Sequence, residues 1–90
     1  MINKYYKVEV TEWSYNLANG FVISKKLYDV QMFNNYSKAI NYCDEIVNKK
    51  NTSGNIVTIK IPKIIKLGEL IAENVTPGMY SPEYILGQLR

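Results

Sequence analysis

Histidine is absent from this chain, and cysteine and arginine occur once each, as Cys43 and Arg90. Without histidine there is no Ser-His or Cys-His nucleophile pair, and the commonest proton shuttle and zinc ligand are missing. A lone cysteine forms no internal disulfide and no Cys-x-x-Cys pair for redox or metal chemistry, which fits a reducing, cytoplasmic setting. No run approaches the ~20 apolar residues of a membrane span, and the Met1-Ile2-Asn3-Lys4 start lacks the apolar stretch of a signal peptide. The sequons Asn51-Thr52-Ser53 and Asn74-Val75-Thr76 are empty without export. Glycines at 20, 54, 68, 78 and 87 make neither a phosphate-cradling loop nor a dinucleotide fingerprint. The residues therefore predict no catalytic set, no cofactor, no metal and no membrane partner.

The 90 residues read as one domain, 1–90, with material for one modest core. Apolar residues make up 47% and charged residues 21%, which is globular rather than disordered. Asn, Lys, Ile and Tyr are abundant, and all four have AT-rich codons. The net charge of +3 therefore carries little functional weight alone. A dedicated nucleic-acid binder concentrates positive charge on one face, often as Arg. Here lysines alternate with Glu9, Glu12, Asp29, Asp44 and Glu45.

Lys4 to Phe33 reads as a long β-hairpin, with Asn19-Gly20 supplying residues that tolerate positive φ. A two-residue turn would pair Val8 with Gln31 and Val10 with Asp29. A three-residue Ala18-Asn19-Gly20 loop instead pairs Tyr6 with Met32, Val8 with Val30 and Val10 with Tyr28, and sets Glu12 opposite Lys26. The apolar pairs favour the second register, which also places Glu9 opposite Asp29. Its other face carries Thr11/Leu27, Trp13/Lys25, Tyr15/Ile23 and Leu17/Phe21. The ribbon thus asks for a core on one face at its base and for apolar cover on the opposite face at its tip.

Asn34-Asn35 caps a helix beginning near Tyr36, whose stripe of Tyr36, Ala39, Ile40, Cys43, Ile46 and Val47 follows a 3.6-residue period. Cys43 sits within that stripe and reads as a buried small hydrophobe. Asn55 to Ile61 is a β-branched strand ended by Pro62. Ile64, Leu67, Ile71 and Val75 give Lys63–Val75 helical spacing, despite Gly68 and with an extended start through Ile65 as the rival. Ser81-Pro82-Glu83 opens a short terminal helix running to Leu89. The predicted fold is α+β in the order β-β-α-β-α-α: a small antiparallel sheet on a long hairpin, with a helix on one sheet face. That face holds Tyr6, Val8, Val10, Tyr28, Val30 and Met32.

Aromatic residues are the main functional signal, at 12% of the chain with eight tyrosines. Tyr and Trp join apolar area to a hydrogen-bonding end and dominate interface hot spots. Trp13 opposite Lys25 is placed for a cation–π contact. The Glu9/Asp29 pair resembles an acid dyad, but a solvated pair beside Lys7 is the simpler reading.

Tyr6-Lys7-Val8-Glu9-Val10 and the stretch Phe33-Asn34-Asn35-Tyr36-Ser37-Lys38-Ala39-Ile40-Asn41-Tyr42 resemble the short β-β-α-β accessory proteins of phages and mobile elements of AT-rich bacteria. That class includes anti-CRISPR inhibitors of host defence, so the resemblance implies stoichiometric binding to a larger host protein or complex. Combined with the residue reading, the expectation is a non-enzymatic, cytoplasmic protein-binding module. Its contact surface is the hairpin-tip face of Trp13, Tyr15, Phe21, Lys25 and Leu27, with a free sheet edge available for strand pairing. The alternative is a nucleic-acid accessory protein using Lys4, Lys7, Lys25, Lys26, Lys60, Lys63 and Lys66 beside stacking aromatics. A homodimer through the tip face competes with closure of that face by the terminal helix.

Overall fold

The computed structural model describes residues 5–88. Lys4 of the hairpin and lysine set, and Leu89 of the terminal helix, lie outside the described residues. The strands are β1 (Tyr5–Asn16), β2 (Val22–Phe33), β3 (Asn51–Ser53), β4 (Ile56–Leu67) and β5 (Ala72–Asn74). Helix α1 covers Tyr36–Val47 after β2, and a 3₁₀ turn at Gly78–Tyr80 leads into α2 (Pro82–Gly87). The domain is α+β, with an antiparallel sheet in the order β2-β1-β4-β3 and β5 also paired to β4.

Helix α1 forms where the apolar stripe places it. The Asn35 side chain caps it by accepting from the Lys38 backbone N–H at 3.3 Å. Ala39, Cys43 and Ile46 bury into a cluster with Val8, Val10, Ile64 and Tyr80. Helix α2 also starts as its sequence predicts, with Ser81 accepting from the Tyr84 N–H at 3.2 Å and Pro82 in the first turn.

The hairpin register departs from expectation in a structured way. Thr11↔Leu27, Glu12↔Lys26 and Trp13↔Lys25 pair as predicted. An extra residue on β2 at Tyr28 then shifts the base, giving Val10↔Asp29, Val8↔Gln31 and Tyr6↔Phe33. That base register is the one disfavoured on apolar pairing. A second shift leaves Tyr15 opposite Val22 rather than Ile23. A bulge moves every later side chain to the other face. Val30 and Met32 consequently leave the α1 face, and Asp29 turns onto it, accepting from the Tyr42 hydroxyl. The loop is also longer than expected: Asn16 and Phe21 close it through a 2.9 Å backbone bond, with Gly20 at φ 74° in the left-handed region.

The predicted helix at Lys63–Val75 is absent, because β4 runs straight through Pro62 to Leu67 and turns back as β5. Pairing parity explains why proline is tolerated. Ile64 directs its N–H to Thr76 Oγ1 and its carbonyl to the Val75 N–H, both away from β1. Pro62, two residues earlier, points its nitrogen the same way, where none of the described strands pairs. Its ring is free to bury opposite Val10.

Two apolar clusters occupy opposite faces of this ribbon. Val8, Val10 and Ile64 face α1, whereas Tyr15, Val57 and Ile59 take the odd-numbered face and meet Ile85 of α2. Val47, at the end of α1, touches both clusters. The strand twist therefore carries the second face round to the helical side over the length of a 52 Å molecule.

Candidate protein interface: the hairpin tip and β2

β1 has strands on both sides and helices over part of each face, so most of its side chains are covered. Among the described residues β2 pairs only with β1, and ten of its twelve residues are exposed. The five residues expected to form one contact face are divided by this difference.

Tyr15 is a core residue at 7% exposure, packed with Val57, Ile59 and Ile85. Burial first, and the Glu83 carboxylate second, raise its hydroxyl pKa above the usual value. Trp13 is half-buried at the margin of the same cluster, stacked on Tyr15 with ring centroids 6.0 Å apart. Its buried indole N–H has no hydrogen-bond partner among the described residues. Lys25 reaches across the outside of Trp13, with Nζ 3.9 Å from the ring centroid, as the sequence pairing predicts. Phe21 and Leu27 are 71% and 66% exposed. The tip face is thus covered at Trp13 and Tyr15, which pack with the cluster that α2 joins through Ile85. It is open at Phe21, Lys25 and Leu27.

Further apolar side chains join the open portion. Leu17, Val22 and Ile23 lie within four residues of Phe21 at the hairpin end and are all exposed. Leu17 and Ile23 are visible in sequence as neighbours of the tip. Val22 was not, because the bulge that aligns it with Tyr15 has no sequence signature of its own. The loop beneath them is ordered: Asn16 Oδ1 accepts from the Ala18 N–H and Asn19 Oδ1 from the Phe21 N–H, both at 2.9 Å. A rigid turn that presents an exposed phenyl ring spares a partner part of the ordering cost.

The predicted acid pair does not form. Glu9 faces Val30 and bonds Lys7 at 2.9 Å, while Asp29 bonds Tyr42 and Gln31 on the other face. Those two hydrogen bonds, Tyr42 first, hold the Asp29 carboxyl below the usual carboxylate range. Lys26 and Lys60 both reach Glu12, at 3.3 and 3.7 Å. With Lys7 engaged as well, three of the lysines considered for nucleic-acid binding sit in ion pairs.

A cleft of about 370 Å³ lies between α1 and α2, with Val47, Met79 and Ile85 as its apolar wall and Asp44, Asn48 and Tyr84 as its polar margin. Its one carboxylate, Asp44, accepts from the Tyr80 hydroxyl. Cys43 lies beneath in the core, its thiol pushed up to about 12 by burial and then by Asp44. Among the described residues no group of three His, Cys, Asp or Glu side chains is placed to hold a metal. No helix among them is long and apolar enough to cross a membrane. No protein-family model, curated protein or solved structure matches this chain.

Proposed function

We propose that this chain is a protein-binding module without catalytic chemistry, and that it docks through the β-hairpin tip and the adjoining outer surface of β2. One observation carries this reading. Leu17, Phe21, Val22, Ile23 and Leu27 are all exposed and crowd one strand and its turn. Concentrations of exposed large apolar side chains mark interaction surfaces in small proteins. Phe21 is the anchor, Leu27 and Ile23 extend the apolar centre, and Lys25 over Trp13 supplies a charged rim. Occlusion of a larger host complex is the mode of action implied by the resemblance to phage-borne accessory proteins.

Nucleic-acid binding is the weaker reading, because Glu9 and Glu12 engage Lys7, Lys26 and Lys60. The discriminating test is site-specific photo-crosslinking in a bacterial lysate. A photoreactive residue in place of Phe21 is expected to capture a protein, and the same group in place of Lys49 beyond α1 is not. Capture of nucleic acid alone at Phe21, or equal protein capture at both positions, overturns the assignment.

A further inference from the structure

Among the described residues β2 is an edge strand of twelve residues with one strand neighbour, and its protection is uneven. Natural edges are blunted by bulges and lysines. Both β2 bulges and both of its lysines, Lys25 and Lys26, lie before Asp29. Asp29–Phe33 carries neither device and pairs regularly with β1 from Val10 to Tyr6. Among the described residues no turn or loop backbone bond reaches its outer side. Within these five residues, Val30 and Met32 direct their backbone N–H and C=O groups outward, where none of the described strands pairs.

We infer that this segment pairs antiparallel with its own copy across a two-fold axis at Gln31, joining two sheets into one. Asp29, Gln31 and Phe33 share the α1 face, while Val30 and Met32 take the opposite face beside Glu9 and Lys7. With Gln31 against Gln31 of the copy, Val30 meets the copy's Met32 on both sides of the axis. The axis stands perpendicular to the sheet, so every pair keeps its face, and each copy offers the same patch to the other. Val30 and Met32 are 41% and 52% exposed in the single chain, so the seam covers apolar area now in water. No like charges meet on the seam, because Asp29 faces the copy's Phe33 and its carboxylate is held by Tyr42 and Gln31.

The helices add charge complementarity. Tyr42 reaches down to β2, so the flank of α1 that carries it is the flank nearest the seam. Lys38 and Glu45 lie four residues before and three after Tyr42 on that flank, and both are exposed. The two-fold axis runs the two helices antiparallel, which directs Lys38 of one copy toward Glu45 of the other. The hairpin tips then point outward at the two ends of the assembly and remain free.

Light scattering on the full chain from micromolar to millimolar concentration tests this directly. The expected mass is twice the 10.4 kDa chain. Gln31→Lys places like charges on the axis and is expected to give the single-chain mass with an unchanged circular dichroism spectrum. Leu70→Lys, in the remote β4–β5 turn, keeps the dimer. A second measurement does not depend on Gln31→Lys folding. Gln31→Cys is expected to link to its own copy through a short bis-maleimide, each thiol adding across one maleimide double bond, while Leu70→Cys does not. Buried Cys43 is shielded from the reagent. A single-chain mass at every concentration overturns the inference, as does a dimer that survives Gln31→Lys in the folded protein. Equal cross-linking of the two cysteine variants also overturns it. A partner strand that pairs with this edge in place of a copy would appear as a single-chain mass alone and a larger mass once that partner is added.

Discussion

Three protonated groups sit around α1, with Cys43 and Tyr80 buried and Tyr42 half-buried. The Tyr42 and Tyr80 hydroxyls are held well above their ordinary range, by burial first and by the carboxylates of Asp29 and Asp44 next. Burial likewise pushes the Cys43 thiol up to about 12. A raised pKa in the fold means the folded state keeps its proton when the unfolded chain has lost it. Stability from these groups is therefore complete below their unfolded values, about 8.5 for the thiol and about 10 for the phenols, and is lost as pH rises through the folded values. The urea midpoint is expected to fall steadily above about pH 9, and Tyr80→Phe to make that fall shallower while costing about 1 kcal/mol at neutral pH. A midpoint unchanged up to about pH 11 contradicts this assignment. Asp29 has the opposite sign. Its lowered pKa adds stability that is present above the ordinary carboxylate range and lost as pH falls through the lowered value.

Among the elements, α2 is half the length of α1 and covers the face that the hairpin cannot cover itself. Ile85 is fully buried against Tyr15, Val57 and Ile59, so Ile85→Ala is expected to cost about 2–4 kcal/mol. Trp13 lies at the margin of that cluster and is the only tryptophan, so its emission should shift to the red as α2 loosens. Unchanged stability with unshifted emission would mean that α2 does not close this face. Sequence reading located α1 and the start of α2 because their signals are local: a 3.6-residue apolar stripe and two side-chain caps. It also anticipated that the ribbon needs opposite cover at its two ends. The base register was not legible, because the bulge at Tyr28 is decided by packing, through Asp29 on Tyr42 and Phe33 against the same ring. The second half of β4 was missed because Ile64, Leu67 and Ile71 fit a helical period too. Pro62 looks like a stop until the free outer edge of β4 is known. Within the candidate site, Lys25 over Trp13 was legible from cross-strand pairing. The burial of Tyr15 was not, since it depends on where a distant helix docks.

At the scale of the whole molecule, both helices gather on one side of a 52 Å ribbon and leave β2 and the hairpin tip uncovered. The covered side supplies the stability, and the uncovered strand is the part available for binding. Substitutions there should separate the two properties. Phe21→Ala and Leu27→Ala remove side chains that are 71% and 66% exposed and should leave the urea midpoint within about 0.5 kcal/mol of wild type. The most direct measurement is the affinity of these two variants for the protein cross-linked at position 21, by titration calorimetry. An anchor residue predicts a loss of at least about 2 kcal/mol for Phe21→Ala, roughly thirtyfold in Kd, with a smaller loss for Leu27→Ala. Wild-type affinity in both folded variants would contradict the placement of the interface on the hairpin tip and β2.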